Sequence, residues 1–99
     1  MNQYMIDIDL PEELDEDFMA LVPAQRLKIN KLMGNRTISS YSLALDRSKL
    51  WVTINAKSGT EVMDVLSTFP LIKYMKFHIH ELMFHHEASM LVIPPFSLN

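Results

Sequence analysis

From Tyr4 to Leu10 every second residue is apolar. Tyr4, Ile6, Ile8 and Leu10 fall on one side, and Met5, Asp7 and Asp9 on the other. A period of two with one apolar face predicts a strand. Pro11 ends it and suits the first turn of a helix. The period then lengthens. Leu14, Phe18 and Leu21 recur at spacings of four and three, and Leu27, Ile29, Leu32 and Met33 resume that spacing after Pro23. This stripe predicts one helix from about Glu12 to Met33, bent at Pro23 and capped by Gly34. The acids Glu12, Glu13, Asp15, Glu16 and Asp17 fall at its positive end, where the helix dipole favours them.

Alternation returns twice more. Arg36 to Asp46 places Ile38, Ser40, Ser42 and Ala44 opposite Ser39, Tyr41, Leu43 and Leu45. Leu50 to Ala56 places Leu50, Val52, Ile54 and Ala56 opposite Trp51, Thr53 and Asn55. With the polar turn Asp46-Arg47-Ser48-Lys49 between them, the two runs predict a hairpin. Ser58 and Glu61 form a capping box ahead of a second stripe, Val62, Val65, Leu66 and Phe69, which Pro70 stops. Met75 to His86 reads as a long last strand, with Phe77, Ile79 and Met83 on one side and His78, His80, Leu82 and Phe84 on the other.

The order strand, helix, hairpin, helix, strand is the βαββαβ pattern of a ferredoxin-like α+β domain: a four-stranded antiparallel sheet with both helices on one face. It is expected over residues 1–87. Residues 88–99 form an apolar tail, containing Met90-Leu91-Val92-Ile93, expected to pack on the domain or on a partner subunit.

Composition adds a second expectation. The chain has 99 residues, enough for about one domain, yet 48% are hydrophobic, including eight Met. The helices cover one sheet face. The other, with Met5, Trp51 and Leu82 or their neighbours, reads as too apolar for bulk water. A second copy facing it would form a dimeric α+β barrel, so a homodimer or higher homo-oligomer is expected. The absence of cysteine excludes disulfides and thiolate metal sites and permits a cytoplasmic setting. Nine basic residues are scattered singly in a chain of net charge −3, the wrong pattern for nucleic acid. Met1 to Met5 show no signal-peptide pattern, and no apolar run approaches the ~20 residues of a membrane span.

Candidate chemistry is thinly spread. Arg26 and Asn30 lie four apart on one helix face, and the guanidinium of Arg26 can clamp a carboxylate or pair with the acidic first turn. Tyr41 and Ser39 can donate hydrogen bonds to a ligand or close a sheet edge. Asp7 would be a base if its strand face lines a barrel interior, and an ordinary polar residue if that face is wet. Four His lie between His78 and His86, but no carboxylate completes a metal set and His85 and His86 point to opposite faces, so no metal is expected.

The segment Thr68-Phe69-Pro70-Leu71-Ile72-Lys73-Tyr74-Met75, continuing to Leu82 and His85, resembles the second half of muconolactone isomerase, and Gly34 matches a glycine near the end of that family's first helix. Pro23-Ala24-Gln25-Arg26 and Asp46-Arg47-Ser48-Lys49-Leu50-Trp51 are similar to a broader group of muconolactone isomerase-like bacterial proteins. The resemblance implies a dimeric α+β barrel and a cofactor-free isomerisation of an unsaturated lactone in aromatic catabolism. His85 aligns with a family histidine and is the candidate proton carrier, with Asp7 the alternative. Arg26, Asn30 and Tyr41 are the candidate substrate-binding residues. The family's first helix supplies the acidic and basic side chains of the proton transfer. The matching stretch here, Val22-Pro23-Ala24-Gln25, has no carboxylate. The alternative is therefore a non-catalytic ligand-binding or assembly module of the same fold.

Overall fold

The structure, a computed structural model, describes residues 2–86. Its elements are β1 (Asn2–Asp9), α1 (Glu16–Gly34), β2 (Ile38–Leu43), β3 (Lys49–Ala56), α2 (Gly59–Leu66), a single 3-10 turn at Ile72–Tyr74, and β4 (Lys76–Glu81). The strands form one antiparallel sheet in the order β2-β3-β1-β4. This is the ferredoxin-like α+β arrangement that the alternation predicts. The expected packing of residues 88–99 lies outside the described residues.

Strand parity builds the core. In β1, Tyr4, Ile6 and Ile8 are buried, and in β3 so are Leu50, Val52, Ile54 and Ala56. Ile6 pairs with Val52 and Ile8 with Leu50, which stacks the apolar side chains of the two central strands side by side. Phe18, Ile29 and Leu32 of α1, Val62 and Leu66 of α2, and Phe69, Leu71 and Met75 of the α2–β4 connection close over them.

Several boundaries differ from the sequence expectation, β2 among them, which spans Ile38–Leu43 within the expected Arg36 to Asp46. α1 begins at Glu16, not Glu12, because Asp15 takes the N-cap and its Oδ1 accepts the Phe18 N–H at 2.8 Å. Only Glu16 and Asp17 lie in the first turn. At the other end Gly34 is still helical. Asn35 caps the helix, its N–H donating to Lys31 O, and Arg36 takes the left-handed conformation (φ 66°). The Asn35 side chain accepts the Thr37 N–H at 3.0 Å, an Asx turn that carries the chain into β2. α2 stops at Leu66, before Pro70. The hydroxyls of Ser67 and Thr68 donate to the carbonyls of Asp64 and Val65, both at 2.6 Å, and compete with continuation of the helix. β4 ends at Glu81 rather than His86, where its ladder with β1 ends. Glu81 pairs with Tyr4, and the last bond joins Leu82 N–H to Gln3 O at 2.8 Å.

β2 departs from strict alternation. Ile38 pairs with Ile54, yet Ser40 pairs with Thr53, so a bulge at Ser39 adds one residue. Simple parity puts Ile38 and Tyr41 on opposite faces. The bulge instead puts both toward the helices, with Tyr41 beside Val52 and Leu43 beside Leu50.

The open face is more polar than expected. By register it carries Gln3, Met5, Asp7 and Asp9, then Lys49, Trp51, Thr53 and Asn55, with Ser40, Ser42, Lys76, His78 and His80. Met5 and Trp51 are its apolar residues, with Leu82 just past the end of β4. Among the described residues no helix is long and apolar enough to cross a membrane.

Candidate functional site

A cleft of about 560 Å³ separates α1 from the β2–β3 end of the sheet, within the range of small-ligand sites. α1 supplies Phe18, Val22, Gln25, Arg26, Ile29, Asn30 and Met33, the three-and-four spacing of one helix face. The sheet supplies Tyr41, Leu43 and Leu50. Leu71 and Met75 close it from the α2–β4 connection, and Leu10 and Leu14 from the β1–α1 connection. The lining is mainly apolar, with Gln25, Arg26, Asn30, Tyr41 and Arg47 as its polar groups.

These groups sit at different depths. Arg26 and Asn30 are exposed, one turn apart, and so is Arg47. Tyr41 is half-buried and Gln25 is buried. Arg47 is held by a tight turn: its N–H donates to Ala44 O at 2.9 Å, Ala44 N–H donates to Lys49 O at 2.9 Å, and its φ is 64°. Glycine is the usual occupant of that left-handed position. A side chain there costs on the order of 1–2 kcal/mol, and this one reaches the cleft. Asp46 steadies the turn by accepting from the Ser48 N–H (3.0 Å) and Oγ–H (2.7 Å), bonds that lower its pKa.

Gln25 is the residue that sequence reasoning missed. Its Oε1 accepts the Leu71 N–H at 3.1 Å, tying α1 to the α2–β4 connection, while its Nε2 is buried with no well-formed hydrogen bond among the described residues. An unmet buried donor costs about 1–3 kcal/mol. Burial pushes the Tyr41 phenol above its ordinary pKa, and the Gln25 amide beside it, donating toward the phenol oxygen from outside good hydrogen-bond geometry, acts the other way, by less.

The structure thus brings Arg26, Asn30 and Tyr41 together on one cleft and leaves Asp7 and His85 outside it. Asp7 lies on the open face, where its Oδ1 meets Lys49 Nζ at 3.0 Å. Lys49 also reaches Asp9 at 2.8 Å, and Asp9 meets His78 Nε2 at 3.3 Å. The Lys49 ammonium, helped by His78, holds Asp9 below the ordinary aspartate pKa. Asp9 and then Asp7 raise that of Lys49. His85, half-buried, follows β4 at the end opposite Met75. Among the described residues no three His, Cys, Asp or Glu side chains converge as metal ligands. Among the described residues no aspartate, glutamate or histidine lines the cleft. Glu12 and Asp46 border a smaller neighbouring cavity that shares Leu10, Leu14 and Arg47 with it.

No family model matches the chain, and a search of curated proteins finds no match either.

Proposed function

We propose that the cleft binds a small, largely apolar organic carboxylate or lactone. The observation that carries this reading is the convergence of two guanidinium groups, Arg26 and Arg47, with Asn30 and Tyr41 on an otherwise apolar cleft. Arginine at the mouth holds a carboxylate in a planar, charge-assisted pair while the carbon skeleton leaves water inside. Titration calorimetry with a panel of aryl and cycloalkyl carboxylates tests it. Arg26→Ala is expected to weaken binding by about tenfold or more, and the matching uncharged amides are expected to bind worse than the acids. Equal binding of acids and amides by the wild type sinks the reading.

The cofactor-free isomerase activity that the resemblance implies is the second possibility for this cleft. Moving a proton between carbons needs an acid and a base at the substrate. Among the described residues, and apart from the two arginines, Tyr41 is the titratable group lining the cleft, and its raised pKa makes it a poor proton acceptor near neutrality. That composition favours binding without turnover. Turnover of muconolactone by the purified chain, lost in His85→Ala or Asp7→Asn, would reverse the preference.

A homodimer or larger homo-oligomer built through the open sheet face is part of the same proposal. Trp51, 38% exposed, and Met5 form its apolar centre. Sedimentation across a hundredfold range of concentration should show a concentration-dependent mass. A cytoplasmic setting fits a chain without cysteine.

A further inference from the structure

α1 carries a polar side chain where its buried stripe calls for an apolar one. Gln25 stands seven residues after Phe18 and four before Ile29, both buried, and is itself 4% exposed. Its Oε1 accepts the Leu71 N–H at 3.1 Å. A backbone N–H can only donate, so this bond fixes the amide: oxygen toward Leu71, nitrogen away from it. The nitrogen is then a buried donor in the wall of the cleft, near the Tyr41 phenol but with no well-formed hydrogen bond among the described residues. The fold uses one half of the amide and leaves the other half unspent.

We infer that Gln25 is the specificity-determining residue of the cleft, its Nε2 donating to an uncharged keto, ester or amide oxygen on the ligand. This rests on the carboxylate-binding reading of the same cleft. Depth assigns the two ends. The arginines are exposed, so an acid group beside them keeps part of its hydration. A carboxylate beside Gln25 would be stripped of water with no cation at hand, whereas a carbonyl oxygen gives up far less. Beside the Tyr41 phenol the amide nitrogen makes no well-formed hydrogen bond, so a ligand oxygen placed in line with it is a gain, and a methylene in the oxygen's place forfeits it. Nε2 has almost no free surface, so the oxygen reaches it by side-chain shifts of the kind common at binding surfaces.

The test is calorimetry with two acids that differ by one group, 4-phenylbutanoate and 4-oxo-4-phenylbutanoate. Wild-type protein should bind the keto acid about tenfold more tightly. Gln25→Met removes the donor at similar size and brings no ionisable group to the buried position, so it should erase that preference. Arg26→Ala should weaken both acids alike. Equal wild-type affinities, both lowered by Arg26→Ala, overturn the role of Gln25 and leave the cleft reading standing. Retention of the keto preference in Gln25→Met also overturns the role. Failure of both acids to bind removes the role and the cleft reading together. The two wild-type affinities decide the matter even if the variant does not fold.

Discussion

Val52 and Trp51 are neighbours in β3 and lie opposite Ile6 and Asp7 in β1, yet they belong to different physical regimes. Val52 and Ile6 have no exposed surface. Trp51 and Asp7 sit on a face where Lys49 bridges Asp7 and Asp9, and Asp9 meets His78. Under the helices the sheet is held by area removed from water, which depends little on salt or on proton binding. On the open side it is held by half-exposed ion pairs, which salt screens and pH titrates. One strand thus contributes both kinds of force, and the parity of a residue decides which.

The largest expected effect contrasts two aromatic truncations. Phe69, 1% exposed, should cost about 3–5 kcal/mol on replacement by alanine, read from urea unfolding. Trp51→Ala, on the open face, should cost about 1–2 kcal/mol in dilute solution and more as protein concentration rises, if a second copy covers that face. Equal costs for the two in dilute solution would break the comparison. Asp15→Ala, which removes the Oδ1 acceptor of the Phe18 N–H, should cost about 1 kcal/mol and gives a yardstick for one side-chain hydrogen bond.

Lys49→Met should have the smallest effect, a change in Tm below that of Asp15→Ala and shrinking with added salt. Its pH dependence has a definite sign. Asp9 is depressed in the folded chain, so its contribution is present above the ordinary aspartate value of about 3.9 and is lost as pH falls through the lowered value. Lys49 is raised, so its contribution holds below the ordinary lysine value and is lost only as pH climbs through the higher one. Wild type and Lys49→Met should therefore differ at neutral pH and converge in strong acid. A difference that persists there would show that Lys49 acts through its carbon stem and not its charge.

Much of the fold could be read because its signals are local. The alternations of β1 and β3, and the Ser58–Glu61 box, whose Ser58 Oγ accepts the Glu61 N–H at 3.2 Å, need no knowledge of distant residues. The errors arise where a distant partner decides. β4 stops where its pairing with β1 ends, at Glu81 opposite Tyr4, which nothing within Met75 to His86 announces. Leu27 fits the apolar spacing of α1 but is 72% exposed, while polar Gln25 takes the buried place because Leu71, 46 residues on, offers it an N–H. The site was partly legible for the same reason. Arg26 and Asn30 share a helix face by spacing alone. Tyr41 joins them through the bulge at Ser39, and Arg47 through a turn whose left-handed residue is usually glycine.

The bulge makes chain length matter unequally along β2. Loss of Ser39 would leave Ile38, Tyr41 and Leu43 at spacings of two, an uninterrupted ladder with each still turned toward α1. Loss of Ser42, three positions on, would throw Leu43 to the far side and leave Leu50 without its neighbour. Ser39 is a spare link, and one-residue deletions should be tolerated at that point of the strand and punished beyond it.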